Sequence, residues 1–169
     1  MKHQIIKYLF FNCLVVLLAQ SCGIKKFIPE GERLYTGAEL ELDTIGEVEG
    51  LKEVKVELTS LIEPNPNTKF LGMKPGLFFH YKAQREKPGF IYRFLNKSFG
   101  EEPVYFSEVN TDRVEELILN RLDNNGFFYS KSSSKVVNND KFASVNYTAS
   151  MPQPYVLENY HLESDSLPI

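Results

Sequence analysis

Tryptophan is absent from this sequence, and cysteine and histidine are scarce, at two and three residues in 169. With two cysteines, Cys13 and Cys22, the chain is no disulfide-dense secreted scaffold. The histidines His3, His80 and His161 stand apart, and there is no His-Glu-x-x-His, no Gly-x-Ser-x-Gly elbow and no phosphate-binding glycine loop. No enzyme, no cofactor and no metal site is therefore expected. The formal net charge is only −3, without the basic excess of a nucleic-acid binder. No apolar run reaches the roughly 20 residues that a membrane-spanning helix needs. What remains is an ordinary globular composition, 43% hydrophobic and 13% aromatic, with phenylalanine and tyrosine carrying the aromatic load.

The first residues are organised for export. Lys2, His3 and Lys7 make a short basic start, Tyr8 to Ala19 is apolar except at Asn12, and the run closes on Ala19-Gln20-Ser21-Cys22. That is a signal peptide over residues 1–21. Because the cut falls before a cysteine, the segment resembles a lipoprotein signal, which implies a lipid on Cys22. Cys13 leaves with the signal, so the mature chain holds one cysteine and no internal disulfide. Lys2 and Lys7 leave too, so seventeen basic residues face twenty-two acids, a formal −5. Residues 22–36 are expected as a lipidated tether ending in the Pro29-Glu30-Gly31 turn.

Periodicity then sets out the elements. Ala38, Leu40 and Leu42 alternate with Glu39, Glu41 and Asp43, as in a half-buried strand whose acids form a solvated face. In residues 47–62, Leu51, Val54, Leu58, Leu61 and Ile62 fit helical spacing, Val54, Val56 and Leu58 also fit a strand, and length favours the helix. Residues 110–126 form a helix with the stripe Val114, Leu117, Ile118 and Leu122, a capping pattern from Asp112 to Glu115 and a stop at Asn124-Asn125-Gly126. A hairpin follows, Phe127 to Val137 and Ala143 to Ser150, turning at Asn138-Asn139-Asp140. Residues 155–163 read as a further strand beyond Pro152-Gln153-Pro154, and a strand without partners points to a truncated second unit. The stretch 63–106 is left as an irregular insertion, in which Glu101 and Glu102 have no evident partner.

The order strand, helix, helix, strand, strand is an α+β layer. It resembles a POTRA domain, β-α-α-β-β, with two helices packed on a small three-stranded mixed sheet. The wording of the chain is also similar to the lipidated, TamA-like branch of the BamA/TamA superfamily of outer-membrane assembly proteins. The similar words are Cys22; Phe27-Ile28-Pro29-Glu30-Gly31-Glu32-Arg33-Leu34-Tyr35; Pro66-Asn67-Thr68-Lys69-Phe70-Leu71-Gly72; Gly100-Glu101-Glu102-Pro103-Val104-Tyr105; and Leu122-Asp123-Asn124-Asn125-Gly126-Phe127-Phe128. The resemblance implies a POTRA-like domain over 37–151 with an insertion at about 63–106, then a linker and the first strand of a second unit over 152–169. It implies residence at the periplasmic face of the outer membrane, held by the lipid and, in full-length members, by a C-terminal β-barrel that this chain lacks. The partners implied are unfolded outer-membrane proteins or envelope assembly partners, and no nucleic acid. A non-catalytic accessory or scaffold lipoprotein is the alternative.

Two interaction surfaces follow. By analogy with POTRA domains, the edge strand is expected at Phe127, Phe128, Tyr129, Ser130, Lys131, Ser132, Ser133, Ser134 and Lys135. Its lysines either accompany client pairing or simply block edge-to-edge aggregation. The second surface lies in residues 69–99, where basic and aromatic residues interleave around a single acid, Glu86. Lys74, Phe78, Phe79, Lys82, Arg85, Lys87 and Arg93 either meet anionic headgroups or belong to an insertion that packs its aromatics inward. Gly72, Pro75-Gly76 and Pro88-Gly89 divide this stretch into short pieces.

Overall fold

A computed structural model describes residues 23–156, 159 and 161. The signal peptide expected over 1–21, the lipidation candidate Cys22 and most of the strand expected over 155–163 lie outside the described residues. The elements run β1 (Leu34–Thr44), α1 (Leu51–Thr59), α2 (Pro75–Ala83), α3 (Phe90–Phe99), α4 (Thr111–Asn124), β2 (Lys131–Asn139) and β3 (Phe142–Met151), with 3-10 turns at Lys25–Phe27 and Phe106–Glu108. The fold is α+β, with four helices among the described residues. The expected pair of helices is thus corrected: the stretch 63–106 contains α2 and α3. Each is short because it starts after a break, α2 with Pro75 at its first turn and α3 after Pro88-Gly89.

The three strands form one sheet in the order β1-β3-β2. Leu34 donates to Lys141 O at 2.9 Å and Ile45 to Met151 O at 3.1 Å, so β1 runs parallel to β3. The two-residue link Asp140-Lys141 makes β2 and β3 an antiparallel hairpin, and the sheet is mixed. From Leu34 to Ile45 the chain takes eleven steps, against ten from Lys141 to Met151, so one residue is extra on the β1 side by Ile45, just past the strand. Within β1, Gly37 has φ 115°.

The described chain packs as two compact units. One takes in 23–38, 64–110 and 136–145, the other 39–63, 111–135 and 146–156. The second unit, like the first, carries the order β-α-α-β-β, here with α1 and α4 as its helices. Its buried residues include Leu40, Leu58, Ile62, Val114, Ile118, Leu122, Tyr147 and Met151, which are largely the helical stripes read from the sequence. Exposed Val56 removes the strand alternative for residues 47–62. Glu57 of α1 forms an ion pair with Arg121 of α4, and Asn125 donates to the same carboxylate at 3.1 Å.

α4 begins two residues earlier than the capping pattern suggested, so Asp112 lies in its first turn, near the positive end of the helix dipole. Its other end is a Schellman motif: Phe127 N–H reaches Leu122 O at 2.9 Å, Gly126 N–H reaches Asp123 O at 3.0 Å, and Gly126 has φ 84°. In the first unit, Ile24, Ile28, Leu34, Leu77 and Phe78 form the core, with Phe27, Phe79, Tyr81, Tyr92, Tyr105 and Phe142 against it. Residues expected as tether thus hold two buried isoleucines and a 3-10 turn.

Candidate functional site

The helix stop decides where the edge strand starts. Phe127 is buried as the closing residue of the Schellman motif, Tyr129 has φ 66°, and Ser130 Oγ donates back to Phe127 O at 2.7 Å. Phe127, Phe128, Tyr129 and Ser130 are therefore outside β2, a correction to the strand expected from residue 127. Periodicity could not show this, because an aromatic run after a helix stop looks the same whether it pairs or only plugs the end. Lys131, Ser132, Ser133, Ser134 and Lys135 do lie on β2, which is a terminal strand of the sheet.

The hairpin link sets the register of this edge. A two-residue connection places Asn139 opposite Phe142 as the first hydrogen-bonded pair. Carried along the ladder, it puts Ser132 and Ser134 on the face of Ala149 and Tyr147, in keeping with their half-buried side chains. The same alternation turns the main-chain N–H and C=O of Ser132 and Ser134 away from β3. The Ser132 hydroxyl is buried without a hydrogen-bond partner among the described residues.

The opposite rim is treated differently. Tyr35 N–H donates to Val104 O at 2.9 Å and Phe106 N–H to Arg33 O at 2.8 Å, forming an antiparallel bridge between Leu34 and Tyr105. The chain's own 104–106 segment thus occupies the start of the outer edge of β1. Asn67 fixes that segment. It is 7% exposed, its Nδ2 donates to Glu102 O at 2.6 Å and to Glu101 Oε2 at 3.3 Å, and its Oδ1 accepts from Val104 N–H at 3.0 Å. Two of the sequence words behind the POTRA resemblance, 66–72 and 100–105, meet in this cluster.

Glu101, which had no evident partner in the sequence, also accepts the Thr68 N–H at 2.8 Å. Burial pushes its carboxyl up, but the hydrogen bonds from Thr68 and Asn67 and the charge of Lys74 together outweigh it and hold Glu101 below the usual carboxylate range. Lys74 is 7% exposed and donates to Asn67 O at 3.3 Å. Burial, then repulsion from Lys69, lowers its pKa, and Glu101 opposes that. Lys74 therefore belongs to an internal polar cluster, a correction to its expected place on a membrane-facing surface.

Phe78 is corrected in the same way, since it lies in the core of the first unit. Phe79 is half-buried. Lys82 Nζ sits over the rings of Phe78 at 5.3 Å and Tyr92 at 5.7 Å, and Arg85 lies over Phe27 at 5.8 Å. Phe27 stacks on Tyr81 with centroids 5.4 Å apart. Lys87 and Arg93 are exposed. The outward apolar residues are others: Phe90 is 76% exposed, Ile91 66% and Phe94 61%. Their helical spacing between Pro88-Gly89 and Gly100 was legible, but whether that stripe faced inward was not.

Glu39, Glu41 and Asp43 are exposed along β1, as a solvated outer face requires. No helix among the described residues is long and apolar enough to cross a membrane. No family model, curated protein or solved structure matches the chain.

Proposed function

We propose that this chain is a POTRA-like module of a lipid-anchored outer-membrane protein assembly or translocation protein, working at the periplasmic face. It holds unfolded barrel or partner chains by adding them as a strand beside β2. The observation that carries this reading is the asymmetry of the rims. The edge of β1 is occupied at 33–35 by the chain's own 104–106 segment, whereas β2 ends the sheet. Main-chain pairing needs little from the guest's sequence, which suits a module meeting many clients. The N–H and C=O groups of Ser132 and Ser134 offer four bonds, worth about 1 kcal/mol each in water. Against the cost of association this is a weak grip, as a chain that must be handed onward requires.

The test uses the full chain with a photoreactive side chain at Ser133 or Lys135, and at Val56 as control. The guest is an unfolded outer-membrane barrel protein diluted from urea. Crosslinking at 133 and 135 is expected to exceed that at 56. Ser134→Pro, which removes an outward N–H, is expected to abolish the excess while leaving the melting temperature nearly unchanged. Ser133→Pro breaks the ladder and lowers the melting temperature as well. Equal crosslinking at all three positions sinks the proposal and leaves the accessory or scaffold reading.

A further inference from the structure

α3 carries an apolar stripe that the other described residues do not bury. None of its residues is fully buried. Tyr92 turns inward, its ring 6.4 Å from that of Phe78 on α2. On the far side Phe90 and Phe94 lie one turn apart with Ile91 beside them, all more than 60% exposed. Arg93 and Lys97, also one turn apart and exposed, border that stripe, and Lys87 precedes it. No salt bridge among the described residues engages any of the three, and the helix has no acidic residue. A purely apolar partner would leave these cations against a hydrophobic wall, and a nucleic acid would leave Ile91 without a base to stack on.

We infer that α3 is an interfacial helix that docks on an anionic phospholipid surface. Phe90, Ile91 and Phe94 enter the headgroup–acyl boundary, while Arg93, Lys97 and Lys87 extend to the phosphates. A helix of ten residues is about 15 Å long, enough to lie in that plane without crossing it. A second basic group lies in the same unit. Lys82 is close enough to Arg85 and Lys26 to be repelled by both, and burial, then these two charges, lower its pKa. Resting on the reading of Cys22 as lipidated, the placement is also economical. Gly23 alone separates Cys22 from buried Ile24, and two residues reach at most about 7 Å, so the lipid holds this unit at the headgroups.

The test is independent of the lipid and of client binding. The full chain carries Cys13→Ser and Cys22→Ser, with an environment-sensitive fluorophore attached through Ser98→Cys, on the same face as Ile91 and Phe94. A matching chain is labelled through Val56→Cys. On phosphatidylglycerol–phosphatidylcholine vesicles the label at 98 is expected to enter an apolar environment and be quenched by spin-labelled lipid, with the label at 56 unchanged. Arg93→Gln and Lys97→Gln should each lower the docked-to-undocked ratio about fivefold. Phe90→Ser with Phe94→Ser should abolish docking, circular dichroism confirming that the fold persists. A label at 98 that stays in water on these vesicles overturns the inference. An equal response on phosphatidylcholine alone, or a shift without vesicles, overturns it too. Failure here with intact crosslinking at 133 and 135 would leave the proposed function standing.

Discussion

The side-chain oxygen of Asn67 accepts the backbone N–H of Val104 at 3.0 Å, and Val104 O in turn accepts Tyr35 N–H at 2.9 Å. One buried amide therefore determines that the 104–106 segment lies along β1. An asparagine amide suits this place because it offers donors and an acceptor at once, and here the donors meet Glu101 and Glu102 while the acceptor meets Val104.

Replacing that amide should loosen the rim. Asn67→Ala leaves the Val104 N–H and the Glu102 carbonyl without partners, at a cost of about 1–3 kcal/mol. The expected signature in hydrogen exchange is faster exchange at Tyr35, Val104 and Phe106, with α4 unchanged. Uniform acceleration through both units would show instead that Asn67 supports the whole fold.

Glu101 makes the stability of this cluster sensitive to acid. Its carboxyl is held below the ordinary range in the folded chain, so the folded state binds its proton less readily than the unfolded state. That contribution is complete above the unfolded pKa, about 4.3, and is lost as pH falls through the lower folded value. Glu57, lowered by its hydrogen bonds to Arg121 and Asn125, acts in the same direction. The urea midpoint should hold steady above about pH 5 and decline towards pH 3. Glu101→Gln should shallow that decline, and an unaltered acid limb would refute the assignment. Lys74 acts at the other end: its lowered pKa makes stability rise as the solution passes through the folded value towards about 10.4.

Gly37 is the conformational keystone of β1. At φ 115° a side chain is strained, and a Cβ would approach Pro66 Cγ to 3.2 Å. Gly37→Val is expected to destabilise by about 1–3 kcal/mol, measured by urea unfolding. Ala38→Val next to it should cost less, since Ala38 is half-exposed and not among the residues of positive φ.

Periodicity carried most of the second unit. The acids of β1 pointed outward, the stripe Val114, Ile118 and Leu122 pointed inward, and Asn125-Gly126 closed α4, because helical and strand repeats need only neighbours along the chain. The insertion was legible as short pieces but not as helices, since nine or ten residues leave a brief signal and their helicity depends on tertiary packing. Nor did sequence distinguish Lys74, buried beside Asn67, from Arg93, exposed on α3, although both are cations among aromatics.

The sequence by itself determined the α+β class and the order of strands and helices in the second unit. Those properties follow from local pattern and composition. Only the tertiary structure decided that the start of the β1 rim is covered, which phenylalanines face out, and that Phe127 plugs a helix instead of opening a strand. Each depends on contacts between residues far apart in the chain, such as Asn67 with Val104, whose formation no local repeat encodes.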